Sequence, residues 1–396
     1  MDVQGGIENI VIRLSQHLHL TGHQVILISS GGELVEGLRK YATHIRFDGR
    51  TSLNALACKI LEISSKDVVI TGFDPFSTAL SFAVAQSISH TRGRTIAFSA
   101  GVFHPRDYFR EHEASHLKLM NFFLGRFVVS SGLFFMNSAC RESHAAFFRK
   151  NLGLHKVIPV PMEARRESFS VKRNERIRIC SVGRIVPFKA YNFCAASILN
   201  DLNGPDPIFS WDIYGHGTHE AQLLATIQRE SGGQLRFLGS LAQSSFDRTV
   251  LEYDVFVGMG TAAIQSAQLG VPTVCAIDQE PKHCYGFIYN VPFGNVGERQ
   301  EGIPKHLLSH VLSDYARMPF EQKCYVSKRC ARAVEGYDIS SFVQGICTFP
   351  VLKPSLTNWL RASYCRMYIT INTETRARRI FRKLRHIKKV FDRRRT

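Results

Sequence analysis

A glycine, an arginine and a lysine recur within one short passage, Ser181-Val182-Gly183-Arg184-Ile185-Val186-Pro187-Phe188-Lys189, just past an apolar run that reads as a strand. Arg184 offers a planar fork of donors and Lys189 a point charge. Together they suit a phosphate-rich ligand held above a sheet edge. A second passage, Gly258-Met259-Gly260-Thr261, precedes a helical stretch. Its glycines let backbone approach a ligand, and the free N–H groups of a first helical turn favour an anion, pyrophosphate above all. Gly5-Gly6 opens another helical stretch in the same way. The bland alternatives are two solvated charges and ordinary strand-to-helix turns.

Metal and redox chemistry find less support. Ten cysteines are scattered without a Cys-x-x-Cys pair, and no Asp-x-Asp pair occurs. That pattern fits a reducing cytosol with cysteine as a small apolar filler. No cofactor and no metal site are therefore expected.

These passages need elements to position them. In the first half, Gly6 to Leu20 carries Ile7, Ile10, Val11, Leu14 and Leu18 at helical spacing. Short β-prone runs at 24–28, 67–70, 94–98, 134–137 and 157–160 alternate with helical stretches. The polar segment 163–178 reads as a linker. After it the alternation restarts, with strand-like runs at 177–182, 211–214, 235–238, 255–257 and 273–277, several ending at glycine. The uncharged stretch from Val255 to Ile277 is long enough to cross a membrane, but its glycines, glutamines and Pro272 argue for strand, turn, helix, strand. The pattern predicts two α/β halves, each a parallel sheet covered by helices, with ligands outside the carboxyl ends of the strands.

At this level of detail the chain resembles the GT-B glycosyltransferases, specifically the large family-four group of retaining nucleotide-sugar enzymes. The match spans roughly residues 3–348 and rests on four passages in order. They are the Gly5-Gly6-Ile7-Glu8 loop with Gly22-His23-Gln24-Val25 after its helix, the Gly183-Arg184…Lys189 passage, Tyr214-Gly215-His216-Gly217, and Gly258-Met259-Gly260-Thr261 through Gln265 to Leu269-Gly270-Val271-Pro272-Thr273. The resemblance implies two Rossmann-like domains facing a cleft, over 1–162 and 163–348, followed by an extension over 349–396. It implies a nucleotide-diphosphate sugar as donor, with Arg184 and Lys189 steadying the charge that builds on the departing diphosphate. Gly5, Gly6, Gly183, Gly215, Gly258, Gly260, Thr261 and Gln265 would line the donor. His104, Arg106 and Asp107, and more weakly Asp74, Tyr285, Gly286, Phe287 and Glu298, are candidates for touching acceptor or donor sugar. One departure stands out. The family has two glutamates separated by seven residues, and here those positions hold Val257 and Gln265. Gln265 can still hydrogen-bond a ribose diol, so glutamate there should serve as well.

The chain's 396 residues predict two domains at ~100–200 residues each. Its 44% hydrophobic content excludes wholesale disorder, and the net charge of +17 asks for an acidic partner. The excess is concentrated in 376–396, where eleven Lys or Arg stand against Asp392 alone. Ile380, Leu384, Ile387 and Phe391 recur there at helical spacing, which predicts a basic amphipathic helix suited to an anionic membrane surface. Only Phe381 and Phe391 are available to stack on bases, which disfavours nucleic acid. No secretory signal is visible at the N-terminus. The expectation is a metal-independent sugar transferase of surface polysaccharide synthesis, acting on a glycan or lipid-linked acceptor at the cytoplasmic face of the membrane. The rival readings are a non-catalytic binder of nucleotide-sugar or glycan, and a nucleic-acid binder through the tail. Family members carry a strand before the glycine loop, and only Met1-Asp2-Val3-Gln4 precedes Gly5 here. The reading is that the first strand of the N-terminal sheet is missing and that the native chain starts upstream.

Overall fold

The computed structural model describes residues 6–373 apart from 50, 65–66, 91–93, 111–112, 166–167, 170, 175 and 231–233. Gly5 and the basic stretch 376–396 therefore lie outside the described residues. The chain divides into two compact units, one formed by Met1–Ile158 with Phe342–Thr396 and the other by Pro159–Ser341.

The first unit begins with the helix Gly6–Leu20, which buries Ile10 and Leu14 as their spacing predicts. Its strands form two sheets. β1 (Ile26–Ser29) pairs in parallel with β2 (Thr43–Arg46). β3 (Val68–Gly72), β4 (Ile96–Val102) and β5 (Leu133–Phe135) form a second parallel sheet in that order. A doubly wound sheet of common order 3-2-1-4-5 would place one strand between β1 and β3. Among the described residues none lies there. β1 is accordingly half-exposed along its length and Val69 of β3 is 41% exposed, whereas all seven residues of β4 are buried. The helix Pro75–Ile88 covers β3 and β4, starting at a capping box in which Asp74 and Ser77 satisfy each other's backbone.

The strand expected at 157–160 does not form. Phe135 and Ile158 donate backbone hydrogen bonds to Lys156 and Phe135 at 3.0 and 2.9 Å, giving one bridge between Phe135 and Val157. Pro159 and Pro161 have no N–H with which to extend it. A further helix over 356–373 packs on this unit: Tyr364 donates its hydroxyl to the Met120 carbonyl at 2.9 Å and Tyr368 to Asn121 Oδ1 at 2.6 Å.

The second unit is built on one seven-stranded sheet. Its members are β6 (Ile177–Val182), β7 (Phe209–Tyr214), β8 (Leu235–Phe237), β9 (Val255–Gly258), β10 (Thr273–Ala276), β11 (His283–Phe287) and β12 (His306–Leu307), in the order β12-β11-β10-β9-β6-β7-β8. The five from β10 to β8 are parallel, and β11 and β12 add an antiparallel edge. The 255–277 stretch is strand, turn, helix Thr261–Gln268 and strand, as expected. The polar segment before β6 is strapped along this unit rather than free of it. Ser168 and Phe169 donate to the Leu269 carbonyl, the Lys172 ammonium donates to the carbonyls of Leu251 and Glu252, and the Arg173 guanidinium stands 4.4 Å over the Phe320 ring.

Candidate functional site

The carboxyl ends of β6 and β9 lie side by side at the centre of the second sheet. Ile179 is level with Val255 and Cys180 with Phe256. β6 ends at Val182 and β9 at Gly258, so the turns that begin at Gly183 and Met259 leave neighbouring strands at the same edge of the sheet. Below them a buried chain of hydrogen bonds fixes three strands together. The Trp211 indole N–H donates to Ser181 Oγ at 2.9 Å, and Ser181 donates to the Val257 carbonyl at 2.7 Å.

The turn after β6 carries the two cations. Gly183 donates to the Tyr214 carbonyl at 3.0 Å and Ile185 to the His216 carbonyl at 2.9 Å, so the loops after β6 and β7 are zipped together. Gly215 and Gly217 permit this. A Cβ at either would run into the backbone of Gly183 or Ile185. A Cβ on Gly183 would meet the Lys189 ammonium, which folds back over the turn. Lys189 is half-buried. Burial, with the Arg184 charge adding to it, lowers its pKa from 10.5 to about 8. The Arg184 guanidinium is exposed, 6.0 Å from the Phe188 ring centroid. Among the described residues no carboxylate forms an ion pair with either group. Two like charges held together in this way gain from a bound anion what neither finds in the protein.

The turn after β9 supplies the other half. Gly260 caps the helix Thr261–Gln268 at φ 73° and ψ −154°, a backbone conformation open to glycine, and its N–H is held by the Val296 carbonyl at 2.7 Å. No side chain caps this helix, and a Cβ at Gly260 would meet nothing within 4 Å. Thr261 is half-buried at the first helical position, and the N–H groups of Ala263 and Ile264 turn back to the Gly260 carbonyl, which leaves those of Thr261 and Ala262 at the helix start. Gly258 is buried in the strand end. The loop after β10 closes this edge, since Gln279, at φ 57°, donates to the Phe188 carbonyl at 2.8 Å.

Gln265 is 2% exposed and fully engaged. Its Nε2 donates to Asp247 Oδ1 at 2.9 Å, and its Oε1 accepts from Gln243 Nε2 at 3.1 Å. Asp247 in turn pairs with Arg165 of the strap. This four-residue chain had no signal in the sequence, because its bonded partners are 18 to 82 positions apart. Val257 is wholly buried in β9. Tyr285 and Glu298 belong to the interior: the Tyr285 hydroxyl donates to the Glu298 carbonyl at 3.0 Å, and the Glu298 carboxylate accepts from Val296 N–H at 2.8 Å. Gly286 and Phe287 complete β11, with Gly286 at φ 79°.

In the first unit, Gly6 starts its helix with nothing within 4 Å of its Cβ position. His104 and Arg106 are half-buried in the turn after β4, and Arg106 N–H donates to His104 Nδ1 at 3.1 Å. Asp107 is turned inward, 1% exposed, accepting from Phe103 N–H at 2.9 Å and from Arg110 at 3.1 Å. Burial raises its pKa and Arg110 partly offsets the shift. Its carboxylate holds the loop, as the Asp74 carboxylate holds a helix start. No cluster of three or more metal-ligating side chains occurs among the described residues.

No family model matches the sequence, and comparison with curated proteins finds no match. Solved structures do match. A glycosyltransferase from Rickettsia africae ESF-5 aligns with a TM-score of 0.60 over 87% of this chain and 93% of its own, at 12% identity. The lipopolysaccharide outer core galactosyltransferase WaaB, in its apo form, aligns with a TM-score of 0.56 over 87% and 97%, at 11% identity. This chain has the GT-B fold. The GT-B protein TarM of S. aureus is longer; the chain covers 58% of it, with a TM-score of 0.46 and 13% identity. In GT-B terms, the strand ends carrying Arg184, Lys189 and Gly260 belong to the C-terminal Rossmann-like half, and β11 and β12 extend that half's sheet. No described helix is long and apolar enough to cross a membrane.

Proposed function

We propose that the chain is a glycosyltransferase that moves a sugar from a nucleotide-diphosphate sugar to a glycan or lipid-linked acceptor. The observation that carries this reading is the Lys189 ammonium folded back over the Gly183 turn beside Arg184, with no carboxylate paired to either among the described residues, on the strand neighbouring the one that ends at the Gly260 turn. A diphosphate fits that arrangement in charge and in reach. In transfer, the bond between the anomeric carbon and the diphosphate oxygen breaks and its electron pair goes to that oxygen. An acceptor hydroxyl bonds to the same carbon, and its proton passes to the departing diphosphate or to solvent. The two cations meet growing negative charge on the leaving group, so they favour the transition state over the ground state. In this scheme they supply the charge that a metal would, and the reaction is metal-independent. Retention of configuration follows the family that the motifs resemble.

Surface polysaccharide is the proposed destination of the product. WaaB, a lipopolysaccharide galactosyltransferase, supports this as a structural neighbour, and the basic stretch 376–396 supports work at the cytoplasmic face of an anionic membrane. The second reading is a binder of nucleotide-sugar that does not turn it over. It is favoured by the commitment of Gln265 to Asp247 and Gln243 and by the apolar Val257.

The test is a thermal-shift screen of sugar nucleotides on the full chain, followed by turnover of any that bind. A ligand at 100 times its Kd adds ~2.7 kcal/mol, a clear shift. Arg184→Ala and Lys189→Ala should each lower turnover about 10²–10³-fold while leaving the unliganded melting point close to wild type. Stabilisation by none of the nucleotides would end the donor reading. Binding without turnover would select the second one.

A further inference from the structure

The helix over 356–373 is apolar on two opposite faces. Ala362, Cys365, Tyr368 and Ile369 are buried against the first unit. On the other side, Leu356, Trp359, Leu360 and Met367 are 75%, 53%, 57% and 47% exposed. At 100° per residue these four fall within one stripe about 100° wide, opposite the buried one. The helix it leans on does the same. Ser115–Phe123 continues into the π-turn Leu124–Val128, and Leu119, Phe123 and Phe127, four residues apart, are all exposed. The Phe123 and Phe127 rings lie 5.7 Å apart, with Phe122 5.7 Å from Phe123. The hydroxyls of Tyr364 and Tyr368 tie the two helices together. Neighbouring helices thus expose seven large apolar side chains, where a soluble surface tolerates isolated ones.

The helices' own charges are of one sign, although Glu113 reaches the first of them, accepting from Asn121 Nδ2 at 2.9 Å. Neither 115–128 nor 356–373 contains an Asp or Glu. Arg126 stands 5.1 Å over the Phe127 ring, and Arg126 and Arg361 are both near enough to Lys150 to add to the burial that lowers its pKa. The helix leads directly toward 376–396 and its eleven Lys and Arg. A second copy of this chain would bring the same cations against each other. An anionic surface would not. Tryptophan and phenylalanine beside lysine and arginine are the side chains that settle at a membrane interface.

We propose that these two helices form a bilayer-contact face, in which Leu119, Phe123, Phe127, Leu356, Trp359 and Leu360 enter the boundary between headgroups and acyl chains of an anionic membrane. The folded unit then supplies the insertion and 376–396 supplies long-range attraction. Vesicle binding and sugar transfer are separate measurements, so this face and the transfer reading can each fail alone.

The test uses the full chain and vesicles of phosphatidylcholine with 30% phosphatidylglycerol, against phosphatidylcholine alone. The protein has two tryptophans, and Trp211 is completely buried. Lipid brominated on its acyl chains should therefore quench only the Trp359 share of the fluorescence. Leu356→Ser/Trp359→Ser/Leu360→Ser should weaken sedimentation with anionic vesicles at least tenfold, although 376–396 is intact. These residues are exposed, so circular dichroism should stay native. Absence of quenching in bound wild-type protein, or equal sedimentation of the folded triple variant, overturns the proposal and leaves attraction by 376–396 alone. A concentration-dependent dimer that the triple variant abolishes overturns it in favour of a second copy on this face.

Discussion

The lowered pKa of the Lys189 ammonium makes the affinity for a diphosphate depend on pH in a direction that can be worked out beforehand. In the free protein its pKa is about 8, lowered from 10.5 by burial and then by Arg184. It therefore carries its proton at a disadvantage below pH 8 and sheds it as pH rises through 8. A bound diphosphate supplies the missing counter-charge and draws the pKa back toward 10.5. Binding then takes up a proton wherever pH lies between the two values, so affinity must fall across that window. If the ordinary value is fully restored, affinity drops about 30-fold between pH 7 and 9.5, or ~2 kcal/mol at 1.36 kcal/mol per tenfold change. A nucleotide-diphosphate sugar suits the experiment because neither of its phosphates titrates in this range. Isothermal titration in buffers of different ionisation heat gives both the affinity and the proton uptake. Lys189→Met keeps most of the packing and removes the titrating group, so its profile should be flat and its affinity at pH 7 lower. A flat profile in the wild type, or the same slope in Lys189→Met, would refute the reasoning.

Two further outcomes follow from the same edge of the sheet. Gly260→Ala should cost ~1–3 kcal/mol in urea unfolding, because φ 73° with ψ −154° is a glycine conformation although the space around it is open; restored stability at wild-type level would show that the turn relaxes freely. Gln265→Glu, harmless on a sequence reading, should instead destabilise by ~1–3 kcal/mol: it replaces an amide that donates to Asp247 with a buried carboxylate facing another, and a melting point unchanged from wild type would count against the network.

The alternation of strand and helix was legible because central parallel strands are short apolar runs closed by glycine, and β6, β7, β9 and β10 fall where those runs are. The turns at Gly183 and Gly260 were legible for the same reason. What escaped notice depended on partners distant in sequence. β2 is Thr43-His44-Ile45-Arg46, too polar to read as a strand, and it exists because β1 offers it a ladder. The run 157–160 had the right composition but a proline within it, another just after it, and one neighbour. Gln265 was correctly placed on the helix after β9. Its burial against Asp247 and Gln243 depends on how the helix Phe246–Val250 packs, which no local pattern encodes. The same limit applies to Asp107 and Asp74, whose side chains serve their own loops.

The division of the first unit into β2-β1 and β3-β4-β5 bears on how that unit holds together. A continuous sheet couples its strands through shared ladders, so that its amides are released from hydrogen bonding together. Here no ladder joins β1 to β3 among the described residues, and cohesion between the two sheets falls to the helices around them. Such a unit has two foldons where one sheet would have one, and the β1–β2 pair, short and half-exposed, is the weaker. Opening it exposes little apolar surface, so denaturant should hardly be needed for its amides to exchange with solvent. β1 and β3 are also edge strands, each with a ladder partner on one side only among the described residues, and no proline guards either. At high concentration they are the places where one molecule can add a strand to another.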